Sequence, residues 1–422
     1  MGFYEQHTEV AIVGAGVAGL AAAKILKQHN VPFQLLEASH RIGGRAYSER
    51  LSNNSWFDLG CSYLHNGMIN PFVSLANTLK FPIDFNNGNL FNSNKTHYFL
   101  DGKKIELGVP NPFDRSHNNL LEAIQNSHTD KALSEAMDIN DPYFPIYCHL
   151  SASLNAADPD LVSSKDYKAS IYDGPDYPIP NGLGNLVKEW GKNINVSLNT
   201  IVREINWDGA LIKLKTTKGC IFAKRVILTV STGVLTGRDI EFNPSLPKEI
   251  LIALDNLPMG TLNKIGICFK KQFFSQQEQG WYISWPNNKN ITEQDIGSFQ
   301  VSTSGPQNVV VFVGGRFAKW LEDRGTKVML DYAISKIENV FGNECTEKIQ
   351  NTITTAWASE PLTKGSYSYA VPGQSESRKK LSNTVDKKIH FAGEATEPKH
   401  FGTIHGAYFS GERVANEIIS NL

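Results

Sequence analysis

The chain has 422 residues, enough for two domains of ordinary size, each with its own core. Its 41 basic and 42 acidic residues leave a net charge of −1, which excludes the broad basic footprint of a nucleic-acid binder. The five cysteines (61, 148, 220, 268 and 345) are scattered, with no CxxC pair, so neither a zinc site nor a disulfide framework is expected and a reducing compartment is.

The first element is TEVAIVGAGVAGLAAAKILKQHN: a buried strand over 9–13, a glycine turn, then a helix to about His29. An apolar run of this kind can mimic a secretion signal, but Glu5 and Glu9 precede it with no lysine or arginine between, the wrong flank for one. Gly14, Gly16 and Gly19 give G-x-G-x-x-G. The first permits the tight turn, the second lets backbone approach a pyrophosphate, and the third lets helix settle on strand. A second apolar strand, PFQLLEA, ends on Glu37, eighteen residues past Gly19, where an acid accepts hydrogen bonds from ribose hydroxyls. ASHRIGGRAYS follows, with Arg41, Gly43, Gly44 and Arg45. Its glycine pair and arginine suit a second approach to a diphosphate, which a simple nicotinamide domain does not need.

The segment 81–180 is polar and rich in Asn, Ser and Pro, with a helical stretch at 119–137 and a surface loop at 86–95. Farther on, LPMGTLNKIGICF (257–269) reads as a strand that is apolar on both faces, interrupted by Lys264. That lysine is either an edge charge reaching water, the commoner case, or a cation aimed at something buried. NVVVFVGG reads as a strand and 326–341 as a helix. The chain closes on KIHFAGEAT and HFGTIHGAYFSGERVANEI, an apolar strand, a glycine turn and a small-residue helix that repeat the phosphate-binding logic of the first turn. No apolar run is long enough to span a bilayer, so a soluble, cytoplasmic protein is expected.

These motifs together resemble the flavin-dependent amine oxidases, the family of monoamine oxidases, polyamine oxidases and flavin histone demethylases. The likeness runs through nearly the whole chain: GAGVAGL with LLEASHRIGGR, WFDLGCSYLHN (56–66), PNGLGNLVKEW (180–190), RVILTVSTGVL (225–235), and FAGE with HGA and SG at the end. It implies an α/β fold, a Rossmann-like FAD-binding domain interleaved with an α+β substrate-binding domain, of the glutathione-reductase-like kind. The FAD-binding parts would be 1–80, 181–245 and 355–422, and the substrate domain 81–180 (helical) and 246–354.

The resemblance assigns FAD contacts to Gly14, Ala15, Gly16, Gly19, Glu37, Ala38, Gly44, Arg45, Gly60, Cys61, Ser62, Val202, Trp357, Gly393, Glu394, Thr403 and Ile404. The placement of Val202 rests on resemblance alone. Lys264 falls where the family's lysine holds a water against flavin N5, and a cation there can stabilise negative charge or move a proton. Trp357 matches a tryptophan near the flavin ring, and it can equally be a core residue. Tyr367 matches one wall of the aromatic cage that channels the amine, while the other wall is Thr403, as in the polyamine-oxidase and demethylase branches. Tyr369 and His65 are weaker candidates for contact with substrate.

Two positions depart from the common pattern. Ser231 stands where proline is usual, which should touch only local turn geometry. Ser366 stands where monoamine oxidases carry the flavin-tethering cysteine, so FAD should be held noncovalently. The reaction implied transfers hydride from an amine α-carbon to flavin N5 and reoxidises with O2, giving imine or aldehyde, amine and H2O2. The expected partners are a small-molecule amine and O2, with no nucleic acid, no membrane and no metal, in a monomer or homodimer. A polyamine or alkyl amine is favoured over an L-amino acid, or over the C–C chemistry of desaturases and protoporphyrinogen oxidases. The demethylase reading is disfavoured because no tower insertion is present. Asp138, Asp141 and Glu322 are candidates to hold a distal ammonium, and Arg115 and Arg316 to clamp a carboxylate.

Overall fold

The computed structural model describes residues 5–52, 54–87, 95–108, 111–170, 174–270, 273–302, 305 and 307–422. Most of the surface loop expected at 86–95 lies outside them. Two sheets organise the chain. The first has eight strands, and at its centre Glu5–Val13 lies parallel to Phe33–Leu36 on one side and Gly219–Leu228 on the other. Continuous apolar runs such as VAIV are what a parallel sheet covered on both faces requires. Ile389–Phe391 joins the C-terminal half of Gly219–Leu228, also in parallel. Val202–Asn206 and Ile212–Thr216 extend the sheet through antiparallel pairings.

The helix Val17–Gln28 starts directly after the first strand, as expected. It packs against the final helix, Ile404–Ile419, so closely that a side-chain carbon on Gly411 would come within 2.2 Å of the Ala18 carbonyl oxygen. The two ends of the sequence therefore share one core.

The second sheet has seven strands, in the order Ile349–Thr354, Leu262–Phe269, Asn308–Gly314, Gly297–Val301, Gly280–Trp285, Thr96–Leu100 and Lys103–Ile105. Region 81–180 is thus not wholly helical, since it supplies two of these strands besides the helices Pro112–Asn126, Phe144–Asn155 and Ser164–Ala169. The helix expected at 119–137 begins earlier, capped by Asn111 with Pro112 at its first position, and stops at Asn126. The strand Leu262–Phe269 lies between two others and is buried from Asn263 onward, which explains why both its faces are apolar.

Candidate active site

Among the described residues, a large cleft of about 1180 Å³ is lined by residues of both sheets. Its first end is built on the glycine turn. Gly14 has φ +107°, and a side-chain carbon on Gly19 would overlap the Gly14 carbonyl oxygen at 1.9 Å, so the turn can close only with glycine at both places. Gly16 differs: a side-chain carbon there would meet nothing within 4 Å, because it would project into the cleft. The helix that follows has no side-chain cap and no acidic residue in its first turn, which leaves its N–H groups and positive dipole end for an anion. The second glycine pair lies on this turn, with Gly43 N donating to Ala15 O at 2.9 Å. Glu37 is fixed by accepting from Ala15 N at 2.7 Å and Ser39 N at 2.8 Å, one bond per carboxylate oxygen. A cradle of this shape, with an acid at its far rim, fits a dinucleotide.

Lys264, Tyr367, Tyr369, His65 and the residues expected to contact FAD all line the cleft except Ala15 and Gly19. Val202, Gly60, Cys61, Ser62, Gly393, Glu394, Thr403 and Ile404 converge there from strands and turns far apart in sequence. Burial beside Asp58 pushes the Cys61 thiol up to about 12, so it remains a thiol at neutral pH.

Lys264 is 5% exposed, which excludes the edge-charge alternative. Its Nζ donates to Asp58 O at 2.9 Å and also to Gly60 O and Ser62 Oγ. Burial lowers its pKa to about 8, with Asp58 and Cys61 opposing that shift. Its neighbour Asn263 sets the surroundings: Oδ1 accepts from Trp357 N and Thr355 Oγ1, both at 3.1 Å, and Nδ2 donates to Glu322 at 2.7 Å. Trp357 Nε1 donates to Leu59 O at 3.0 Å, which fixes the indole against the same loop that receives the lysine.

Tyr367 and Thr403, the expected cage walls, both line the cleft. The Tyr367 ring packs on Gly402, and its hydroxyl donates to Leu154 O at 2.8 Å. Thr403 serves as the N-cap of the last helix, accepting from Gly406 N at 3.0 Å and donating to His400 O at 2.6 Å. Tyr369 and His65 also line the cleft, His65 paired with Asp176 at 2.9 Å.

Several expectations are corrected. Glu322 is no substrate anchor: its carboxylate accepts from Asn263, Ala358 N and Ser359 N and lies off the cleft. Asp141 is spent on Ser116 Oγ and Tyr143 N, and Asp138 accepts from Asn140 N; neither lines the cleft. Arg316 forms a bidentate pair with Asp160, and neither it nor Arg115 reaches the cleft. Ser231 does more than shape a turn, because it caps the short helix Thr232–Thr236 and donates to Thr363 O at 2.6 Å. The Ser366 hydroxyl donates to Gly260 O at 3.0 Å and accepts from Leu262 N at 2.8 Å, fastening the cleft wall to the start of the lysine strand.

Sequence reasoning missed a buried relay. Asp166 pairs with Arg378, whose Nε lies 2.9 Å from it, and both side chains are essentially sealed from water. Arg378 donates to Ser368 Oγ at 2.8 Å, and Ser368 Oγ donates to Glu394 at 2.8 Å. Glu394 in turn meets Arg45 at 2.9 Å. Burial alone would raise the Glu394 pKa, but Arg45 and Arg378 outweigh it and hold the acid below its ordinary value. No short motif could reveal Asp166 and Arg378, which lie 212 residues apart. Arg378→Met leaves the Asp166 charge buried and alone, so a loss of about 3–5 kcal/mol is expected in urea unfolding. The double variant with Asp166→Leu should recover much of that loss, since the isolated charge is then gone.

The comparisons agree with this architecture. The chain matches the model for flavin-containing amine oxidoreductases over residues 17–153 and 138–419. It is 28% identical to "Lysine-specific histone demethylase 1 homolog 2" of Arabidopsis thaliana over 98% of its own length but only 59% of that protein's. It is 26% identical to "Polyamine oxidase 4" of Oryza sativa subsp. japonica, covering 97% of this chain and 88% of that one. Among solved structures it superposes on putrescine oxidase bound to putrescine with a TM-score of 0.80 at 17% identity, covering 99% of this chain and 100% of that one. Cyclohexylamine oxidase from Brevibacterium oxydans gives 0.81 at 19% identity, covering 98% and 99%. With the model matched from the first helix to the last, and the glycine cradle and FAGE turn on one cleft, the chain belongs to the flavin-containing amine oxidoreductase family.

Proposed function

We propose that this protein is an FAD-dependent oxidase of an alkyl amine or polyamine, returning its electrons to O2 with release of H2O2. The observation that carries the reading is Lys264, a buried cation that lines the same cleft as Trp357 and the dinucleotide cradle. Gly14, Gly16 and the first turn of Val17–Gln28 would hold the diphosphate and Glu37 a ribose, with the Arg45–Glu394 pair on the wall of the same cleft. Bound FAD supplies a two-electron acceptor for the amine α-carbon and a donor for oxygen. The chain's own part is to hold the amine against that acceptor, exclude water and move a proton. The Tyr367 ring offers a π face to the amine. Lys264, with a pKa near 8, can give or take a proton at working pH. Water then hydrolyses the imine to a carbonyl compound and the smaller amine.

An amino-acid oxidase would need an arginine at the substrate end, and Arg115 and Arg316 both lie off the cleft. Because the Ser366 hydroxyl is tied to backbone and has no thioether chemistry, FAD should be noncovalent. Acid denaturation is expected to release all the yellow colour into the supernatant; colour left in the pellet would contradict this. The function itself is tested by mixing the protein anaerobically with amines. Loss of flavin absorbance supports amine oxidation, and no loss with any amine sinks it.

A further inference from the structure

Past Lys264 the substrate end of the cleft is lined by Tyr63, Leu150, Leu154, Trp281, Phe312 and Tyr367. Trp281 and Phe312 are stacked, with centroids 5.4 Å apart and planes 14° apart, and the Phe312 ring lies 5.9 Å from Lys264 Nζ. The polar tips of these side chains are committed to protein partners. Trp281 Nε1 donates to Ser298 Oγ at 3.1 Å, the Tyr63 hydroxyl to Gln300 at 2.5 Å, and the Tyr367 hydroxyl to Leu154 O at 2.8 Å. For these six side chains, ring and aliphatic surface is what remains to meet a ligand.

The charges are committed in the same way. Among the described residues, the carboxylates lining the cleft are Glu37, Glu49, Asp166, Asp239, Glu360 and Glu394. Glu37 accepts from Ala15 N and Ser39 N, and together with Glu49 and Glu360 it is near enough to Arg41, at the dinucleotide end, to favour that residue's charge. Asp239 is paired with Lys364, Glu394 with Arg45, and Asp166 with Arg378. A second ammonium entering this sleeve would leave water with no uncommitted carboxylate to meet it, and with a buried lysine nearby.

We propose that the substrate is a monoamine with an apolar body, alkyl or arylalkyl, rather than a polyamine. This rests on the amine-oxidase reading above and narrows it. Octylamine and 1,8-diaminooctane differ only in the distal nitrogen, so they isolate its cost. In anaerobic stopped flow near neutral pH, octylamine and 2-phenylethylamine are expected to bleach the flavin with second-order efficiency about 100-fold or more above 1,8-diaminooctane and spermidine. Calorimetric titration with a tert-alkyl monoamine, which has no α-hydrogen to lose, should show the same preference over its diamine counterpart as binding alone.

Leu154 is 47% exposed and uses only its backbone carbonyl to hold Tyr367. Leu154→Asp should therefore keep the fold and shrink the gap by improving the diamine. Diamine or spermidine matching octylamine overturns the inference while leaving amine oxidation intact. Faster bleaching by a methyllysine peptide overturns it as well. A panel in which no amine bleaches the flavin overturns both readings together.

Discussion

Replacing Gly16 with valine is expected to give a folded protein that has lost its colour. The backbone at Gly16 is extended, with φ −71° and ψ −176°, a conformation valine adopts without strain. A side-chain carbon there meets no protein atom within 4 Å. Exchanging glycine for valine at the helix start should cost the apoprotein only about 1 kcal/mol. The new methyl groups would, however, occupy the volume through which a diphosphate approaches the N–H groups of the first helical turn. A fall in FAD affinity of at least about 100-fold is expected when apoprotein is reconstituted and followed by flavin fluorescence. Gly19→Ala makes the contrast, because its side-chain carbon would fall 1.9 Å from Gly14 O and should damage the fold before the cofactor is considered. Normal affinity in Gly16→Val would remove the cradle from the dinucleotide site.

The second large effect is expected from Lys264→Met. The variant should bind FAD but react with oxygen about 100-fold more slowly, the scale seen when a preorganised charge is taken from a reacting centre. The pH dependence separates this role from simple packing. Lys264 has a pKa near 8, so it is an ammonium below that pH and a neutral amine above it. If the cation drives the oxygen step, the wild-type reoxidation rate is flat and high below about pH 8 and falls above it. Lys264→Met should be slow and flat across the same range. Its melting temperature should also drop modestly, because the Asp58 and Gly60 carbonyl oxygens lose a donor. An unchanged oxidative half-reaction would leave Lys264 a purely structural residue.

What was legible in the sequence was chemistry confined to a short stretch. The strand, glycine turn, helix and Glu37 lie within a few dozen residues, and their spacing is dictated by one local fold. Lys264 was conspicuous because it broke an apolar pattern, and burial on both sides of its strand is the reason the pattern existed. Ser231 was noticed as a departure from an expected residue type and Thr403 as a cage wall, yet their work as helix caps also follows a local rule that Ser and Thr favour. The distal acids were not legible, since charge alone does not separate an acid that meets ligand from one that meets backbone. Glu322 shows the difference: its partners come from the lysine strand and from the loop at 358–359. Asp166 and Arg378 were invisible for a related reason, because only the tertiary fold brings them together.

The helix Ile404–Ile419 closes against Val17–Gln28, and this has a consequence for the order of events during synthesis. The glycine turn leaves the ribosome well before the FAGE turn and the wall at Thr403 and Ile404, which lie far along the chain from it. Until those residues emerge, the cleft lacks one side and the N-terminal helix lacks its partner at Gly411. Cofactor loading must therefore wait until those residues have been made, and the earlier half waits with its apolar face uncovered. A nascent chain stalled before Gly393 should capture no flavin, however complete its opening motif.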